Sequence, residues 1–333
     1  MTEAAENSGL FVISLDFELL WGVWDVTNKE KYGANIIGVQ KVIPQLLTLF
    51  AEYRIKATFA TVGFLFSKNR EELLSANPLV LPSYSNDSYN VYQKEVPLIG
   101  VNELDDPYHF GYSLIEILKK SPHEIATHTY CHYYCLEDGQ TPEQFDADIT
   151  AAKKIAEKNN VHLNSFVFPR NQVNEEYLSI LVSNNIKVYR GNPTSWIYKP
   201  RRYSAEVSFI RLCRLVDTYL PVSGYNTYCM QAQKQLPVNI PASRFLKPYS
   251  QGLKWLEKLR MHRIKKEMTK AAQKKELYHL WWHPHNFGIN LEQNINFLTE
   301  LLDHFTVLQN KYGFTSATMQ EAAARIQKKN NAK

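Results

Sequence analysis

Two acidic residues interrupt the first apolar segment of the chain, residues 10–22, LFVISLDFELLWG. An unpartnered carboxylate in an apolar setting costs several kcal/mol. Asp16 and Glu18 are therefore expected to meet a cation, to bind a metal ion, or to face a cleft from the end of a strand. The alternative is that the two acids have only a structural role, capping the end of a strand and pairing with an arginine.

Two histidines, His128 and His132, lie four residues apart just after a predicted strand, in HEIATHTYCHYYC. On a helical turn this spacing puts both side chains on one face, which suits two imidazole ligands of one metal ion. Such a pair is more often structural. Cys131 and Cys135 interleave with the histidines, but a closed structural zinc site usually takes its ligand pairs from separated segments, which disfavours that interpretation.

Two further predicted strands end on residues that can carry charge or a proton. In SFVFPRNQ, Pro169 ends the strand and places Arg170 at its tip, where a guanidinium can orient a carboxylate. In HLWWHPHNFG, an apolar strand ends on His283, a residue type that transfers protons near neutral pH. The acid pair, the histidine pair, the arginine and the histidine thus follow four strands in order.

Short apolar strands alternate with amphipathic helices along the chain. This alternation predicts a parallel sheet or barrel, with the active site where the carboxyl ends of the strands meet the following loops. Two irregular stretches, about 77–110 and 192–275, are expected to be insertions that wall the cleft. We expect a single catalytic domain over residues 1–333.

Composition narrows the setting in which the protein works. The chain has 333 residues, a hydrophobic share of 44% and a net charge of +5, which fits a packed globular protein and not a dedicated nucleic-acid binder. Four cysteines without framework spacing, and no readable signal or membrane span, predict a cytoplasmic location. A basic helix over 254–275 is expected to be a solvated face, with peripheral contact to anionic lipid or phosphate as the alternative.

These motifs resemble those of the polysaccharide deacetylase family with the NodB homology domain, carbohydrate esterase family 4. The resemblance spans about residues 10–320, with SLDFE in place of the family's TFDDG, HTYCH for its histidine motif, FPRNQ for its third motif and LWWHP for its last. It implies a distorted (β/α) barrel that removes N-acetyl groups with a divalent metal, commonly zinc.

The resemblance also implies roles for single residues. It makes His128 and His132 metal ligands, Asp16 the general base, Arg170 the residue that orients this base, and His283 the general acid.

The first motif departs from the family pattern. Phe17 stands where the family has a metal-binding Asp, so Glu18 becomes the candidate for the third ligand. Alternate residues of a strand face the same side, so Asp16 and Glu18 can approach one ion and their two roles can also be exchanged. The family's Asp that tunes the histidine acid is not identifiable, and Asp217 is a weak candidate.

Aromatic residues near the motifs offer flat faces to a sugar ring. Trp21 and Trp24 follow the acid pair, and Trp281 and Trp282 precede His283. The candidates for substrate contact are Trp21, Asn171 and Trp282. Core packing is the alternative for each tryptophan.

We therefore predict a metal-dependent hydrolase that removes N-acetyl groups from an amino sugar, in a biosynthetic intermediate of a surface polysaccharide. An allantoinase-like amidase acting on a small amide is one alternative, and a non-catalytic carbohydrate-binding descendant is another. A nucleic-acid binder is disfavoured because no base-reading motif is present.

Overall fold

The computed structural model describes residues 8–231, 233 and 235–331. Strands and helices alternate through most of this range, as the sequence pattern predicts. The strands are β1 Leu10–Phe17, β2 Ala57–Thr61, β3 Glu124–Thr127, β4 Ser165–Val167, β5 Val188–Arg190, β6 Val238–Asn239, β7 Arg244–Phe245, β8 Leu277–Trp282 and β9 Thr315–Ala317. The helices are α1 Lys29–Glu52, α2 Arg70–Ser75, α3 Val91–Lys94, α4 Tyr112–Lys119, α5 Pro142–Lys158, α6 Leu178–Ser183, α7 Ser208–Asp217, α8 Glu257–Lys274, α9 Leu291–Tyr312 and α10 Met319–Asn331.

All strand pairs in this sheet are parallel, and β1 lies between β2 and β8. The strand order is β6-β5-β4-β3-β2-β1-β8-β7, and β9 pairs with the start of β1. Only residues 240–243 link β6 to β7, which stand at opposite ends of this order. Four linking residues span at most roughly 18 Å, whereas the edges of eight flat strands would lie roughly 34 Å apart. The sheet must therefore curl into a distorted (β/α) barrel, which confirms the predicted fold class.

Strand β1 shows how alternation fills the barrel. Phe11, Ile13 and Leu15 pack into the hydrophobic core between the sheet and its helices. Val12 lies instead in a smaller cluster with Ala322 and other residues of α10, which closes one end of the barrel. The side chains that alternate with Phe11, Ile13 and Leu15 therefore point into the barrel.

The two predicted insertions have different structures. Residues 77–110 contain α3 and short 3₁₀ turns but no strand. Residues 192–275 contain α7, β6, β7 and α8, so the prediction of a simple insertion was wrong there. The proline-rich composition hid two strands of two residues each, whose hydrogen bonds to β5 and β8 close the barrel.

By length and composition alone, helix α1 could cross a membrane, whereas the sequence analysis predicts no membrane span. In the structure its apolar stripe, including Val39, Ile43 and Leu46, is buried in the main core. A buried core helix meets the same criteria of length and composition.

Helix α8 confirms the predicted helix, and Lys258, Lys266 and Lys274 lie on its solvent-exposed face, whereas two arginines of the helix are buried. Arg260 is buried against the ring of Phe297, and Arg263 is buried and bonds to Asp217. Because these guanidiniums are engaged inside the protein, only part of the basic charge of 254–275 faces solvent. This leaves little support for a dedicated phosphate-binding or lipid-binding face on the helix.

Candidate active site

The acid pair lies at the carboxyl end of β1, where the barrel opens. Asp16 is the penultimate residue of the strand and Glu18 follows its last residue, and each is only 2% exposed. His283 faces both acids, since its Nε2 lies 3.7 Å from Asp16 Oδ2 and 3.5 Å from Glu18 Oε1. Two buried carboxylates therefore share one small space with an imidazole.

Asp16 is held by Arg190, the last residue of β5. The guanidinium donates from Nη1 to Oδ1 at 2.7 Å and from Nη2 to Oδ2 at 2.8 Å, a bidentate pair. Arg190 also donates to Ser14 and Asn171 and lies over the ring of Trp281 at 4.3 Å. Burial opposes ionisation of Asp16, but the charge of Arg190 outweighs it, so the pKa of Asp16 lies below its ordinary value.

The prediction that Arg170 orients Asp16 was wrong. Arg170 forms an ion pair with Asp25, and its guanidinium lies 4.1 Å from the ring centre of Tyr134 and 4.8 Å from that of Tyr203. Its backbone has a φ of +55° within the turn after β4, which directs the side chain away from Asp16. The orienting position belongs to the arginine of the next strand.

Glu18 meets both motif histidines through a single oxygen. Its Oε2 lies 3.3 Å from His128 Nε2 and 3.2 Å from His132 Nε2, and ligating atoms of the three residues all lie within 4.8 Å of one another. Burial opposes ionisation of Glu18, but His283 and the two motif histidines outweigh it and hold its pKa well below the usual range. Burial also lowers the pKa of His132, which favours the neutral imidazole that a metal ligand requires.

The hydrogen bond of His128 supports a cation at this position. Its Nδ1 donates to the carbonyl of Val167 at 2.9 Å, so in the neutral ring Nε2 carries a lone pair that faces the Glu18 carboxylate. Two acceptors that face each other require a proton or a metal ion between them. Two histidines and one glutamate are also the ligand set of many catalytic zinc sites, which keep one position open for water.

The two histidines are brought together by an irregular loop and not by the expected helical turn. Thr129 and His132 have φ values of +64° and +61°, which no helix contains. Asp148 on α5 fastens the loop by accepting from the backbone N–H of Tyr130 at 2.7 Å and of Cys131 at 3.2 Å. Burial raises the pKa of Asp148 to about 6 despite these bonds.

His283 is positioned by the 3₁₀ turn that follows it, Pro284–Phe287. Its Nδ1 lies 3.2 Å from Asn286 Oδ1, and its ring stacks on that of His285 at 4.9 Å. Hydrogen-bond acceptors thus face both ring nitrogens, since the carboxylates lie beside Nε2. His285 is buried, and its pKa is lowered to about 3 by that burial and by His283.

The predicted sugar contacts were wrong for both tryptophans. Trp21 is fully buried and donates from Nε1 to the carbonyl of His109, and Trp282 is fully buried against Phe287. Strand alternation explains the second error, because Trp281 and not Trp282 faces the site. Asn171 does lie beside the site, where its side-chain oxygen accepts from Arg190.

Asp217 does not tune the histidine acid. Its carboxylate, at the end of α7, accepts hydrogen bonds from Arg263 at 3.0 Å and from Ser223.

Two residues of the site, Arg190 and Asp148, were not predicted from the sequence. The first was detectable, because VYRG ends a predicted strand on an arginine in the same way as the other site residues. The second carries no such signal, since it sits within a regular amphipathic helix.

One protein family has a sequence model that matches part of this chain. The model of the polysaccharide deacetylase family matches residues 33–189. This match covers 157 of the 333 residues and shows that this part of the chain is similar to polysaccharide deacetylases. The matched range contains His128 and His132, whereas Asp16, Glu18 and His283 lie outside it. No curated protein matches the chain in sequence.

Solved structures share the fold at low identity. A protein from Mycobacterium smegmatis described as a polysaccharide deacetylase superposes with a TM-score of 0.61 at 13% identity, covering 97% of this chain and 92% of that one. The PuuE allantoinase superposes with a TM-score of 0.57 at 9% identity, covering 98% and 91%. These likenesses concern the fold and do not distinguish a sugar from a ureide substrate.

Polysaccharide deacetylases are hydrolases that act on carbon–nitrogen bonds other than peptide bonds, and the chain is an enzyme of this class. Within the residues described, the converging acids and histidines provide a place for the reaction.

Proposed function

We propose that this chain removes an N-acetyl group from an amino sugar with the help of a divalent metal ion, zinc being the first candidate. The observation that carries the proposal is the convergence of Glu18, His128 and His132 beside Asp16 and His283. A divalent ion bound by those three residues supplies Lewis acidity, which lowers the pKa of water and polarises an amide carbonyl.

Asp16 is proposed to take the proton of the attacking water. Each of its oxygens accepts from Arg190 and still has a lone pair free, so the bidentate pair orients the base without blocking it. Arg190 also stabilises the ionised form, which the base needs before each turnover.

His283 is proposed to give a proton to the departing amine. Its Nε2 borders the space in front of Asp16 and Glu18, so an amide placed there would meet the base on one side and the acid on the other. The products are acetate and a free amino sugar, and the carbon–nitrogen bond of the acetamide is the bond that breaks.

The proposal extends to substrate role and location. All four cysteines are free thiols, which is compatible with a reducing compartment such as the cytoplasm. A cytoplasmic deacetylase would act on a biosynthetic intermediate of a surface polysaccharide and not on external polymer.

The deciding experiment compares Glu18→Gln with Asp16→Asn. Glu18→Gln should lower bound zinc and regain part of its acetate release when zinc is added in excess. Asp16→Asn should keep zinc and lose about 10²- to 10⁴-fold in turnover, the usual effect of removing a general base. Zinc content is measured by elemental analysis and acetate release with N-acetylhexosamine oligomers.

Three outcomes would contradict the proposal or its assignments. Zinc rescue of Asp16→Asn instead of Glu18→Gln would exchange the two roles. Substoichiometric zinc in the wild-type chain would indicate a non-catalytic descendant. Release of product from ureides but not from N-acetylated sugars would favour the allantoinase-like amidase.

A further inference from the structure

A cavity of about 270 Å³ opens beside the proposed acid His283. Its floor is aromatic, with Trp281 and Phe245 in contact at 4.8 Å between ring centres. This volume is below the roughly 300–1,000 Å³ of pockets that enclose a whole small-molecule ligand. The cavity therefore suits one sugar ring or one charged group of a larger substrate.

The charged side chains that line the cavity are mostly cationic: Arg170, Lys199, Arg201, Arg214, Arg244 and Glu206. Acidic partners neutralise three of the arginines. Arg244 pairs with Glu267, Arg214 with Glu206 and Arg170 with Asp25.

Two cations of the lining have no such partner. Lys199 and Arg201 have no carboxylate within ion-pair distance in the part of the chain that the structure describes. Arg201 is occupied by backbone carbonyls, among them those of Trp196 and Ile197, so its charge is fixed in place but not cancelled. The cavity therefore carries an excess of positive charge beside the reaction site.

Two buried polar atoms of the lining also lack a hydrogen-bond partner. Arg170 Nη1 is a donor without an acceptor, and Asn192 Oδ1 is an acceptor without a donor. The assignment of the Asn192 amide is consistent, because its Nδ2 donates to the carbonyls of Asn171 and Tyr198. Each of these two residues of the lining therefore has one side-chain atom whose hydrogen-bonding capacity is unused within the protein.

We infer that this cavity is a subsite for an acidic sugar residue of the substrate, one that carries a carboxylate or a phosphoryl group. The oxyanion of such a sugar compensates the positive charge of Lys199 and Arg201. The aromatic floor receives the face of the ring. The inference rests on the proposed function for its meaning, because it names the kind of sugar at or next to the N-acetylated one.

The test uses probes without an N-acetyl group, so that binding is independent of deacetylation. Isothermal titration calorimetry of the zinc-loaded chain compares methyl glucuronide, glucose 6-phosphate, neutral methyl glucoside and inorganic phosphate. At least one acidic sugar should bind roughly tenfold or more tightly than the neutral sugar and than inorganic phosphate. The carboxylate and phosphoryl arms distinguish the two sources of the oxyanion.

Variants of the exposed Lys199 locate the effect. Lys199→Gln should weaken binding of the acidic sugar about three- to tenfold, and Lys199→Glu should weaken it further, with binding of methyl glucoside unchanged in both. Arg202→Gln removes one positive charge from the same segment without touching the cavity and serves as the matched control.

Equal affinity for acidic and neutral sugars would overturn the inference, and so would an unchanged preference in Lys199→Glu. Preferential binding of inorganic phosphate over both acidic sugars would also overturn it, because the hydroxyl contacts would then contribute nothing. If acidic sugars bind as expected but no N-acetylated substrate releases acetate, the proposed function fails and the subsite stands. If acetate is released but acidic sugars bind no more tightly than neutral ones, the proposed function stands and the acidic subsite fails.

Discussion

At the scale of single residues, the site depends on how buried charges are compensated. Asp16 and Glu18 are both buried, and His283 faces both of them. Arg190 also compensates Asp16, whereas His128 and His132 also compensate Glu18. Removing one partner of a buried pair is typically worth about 3–5 kcal/mol, because the other charge is left uncompensated. Conservative substitutions are therefore the informative ones here.

Replacement of Arg190 by lysine keeps the charge but loses the two-point contact with Asp16. We expect Arg190→Lys to lower turnover on the order of 10²-fold while zinc remains bound, because a point charge cannot hold the carboxylate in one orientation. Turnover and zinc content are measured on the same preparation.

The matched control is the variant Arg260→Lys. Arg260 is also buried, but it forms its ion pair with Glu257 on helix α8, away from the acid pair. It should affect the free energy of unfolding but not turnover per folded molecule. An Arg190→Lys variant with full turnover would reduce Arg190 to a structural role.

At the scale of elements, short turns after the strands determine where the functional side chains point. The 3₁₀ turn Leu19–Gly22 after β1 leaves room for Glu18 only because its last residue has no side chain. A Cβ built at Gly22 would lie 2.0 Å from Glu18 Cδ and 2.0 Å from Oε1. The three atoms nearest to such a Cβ all belong to the Glu18 carboxyl group, so the missing side chain of Gly22 makes room for this carboxylate.

Gly22→Ala should therefore displace Glu18 from His128 and His132. We expect zinc affinity to fall by roughly 10- to 100-fold, the range seen when groups that orient metal ligands are lost. Competition with a chelator of known affinity provides the measurement. Gly252→Ala is the control, since a Cβ there meets nothing within 4 Å. Equal zinc affinity in both variants would show that Glu18 does not hold the ion in this position.

At the scale of the whole molecule, closure of the barrel buries a histidine that has no part in the proposed chemistry. His279 in β8 contacts Ser14 Oγ through Nε2 at 2.8 Å and the carbonyl of Ile240 through Nδ1 at 3.1 Å. It thereby joins the centre of the sheet to the segment that links β6 and β7. Burial, with a contribution from Arg190, lowers its pKa to about 3.

This histidine should make the fold sensitive to acid. The folded state keeps His279 neutral down to about pH 3, whereas the unfolded chain binds a proton near pH 6.5, so stability falls as the pH drops between these values. The loss should reach about 4 kcal/mol at the lower limit. Urea denaturation at a series of pH values should show a shallower pH dependence for His279→Gln than for the wild type. The exposed His262 provides the control, and equal slopes for wild type and His279→Gln would contradict the assignment.

By itself, the sequence determined the alternation of strands and helices, the strand-end positions of Asp16, His128, Arg170 and His283, and the resemblance to deacetylases. These features are local, because apolar periodicity and residue type at a strand end are set by neighbours in the chain. The closing strands β6 and β7 escaped prediction because two-residue strands carry no period, and only their long-range hydrogen bonds define them.

The tertiary structure alone decided which arginine meets Asp16 and which tryptophan faces the cavity. Arg170 lies in the turn after β4 and Arg190 ends β5, and Trp281 and Trp282 are neighbours, so residue type does not separate the members of either pair. The left-handed backbone at Arg170 turns its side chain toward Asp25, and the pleat of β8 sends Trp282 into the core. Side-chain direction depends on backbone angles and on barrel closure, which contacts between segments far apart in sequence impose.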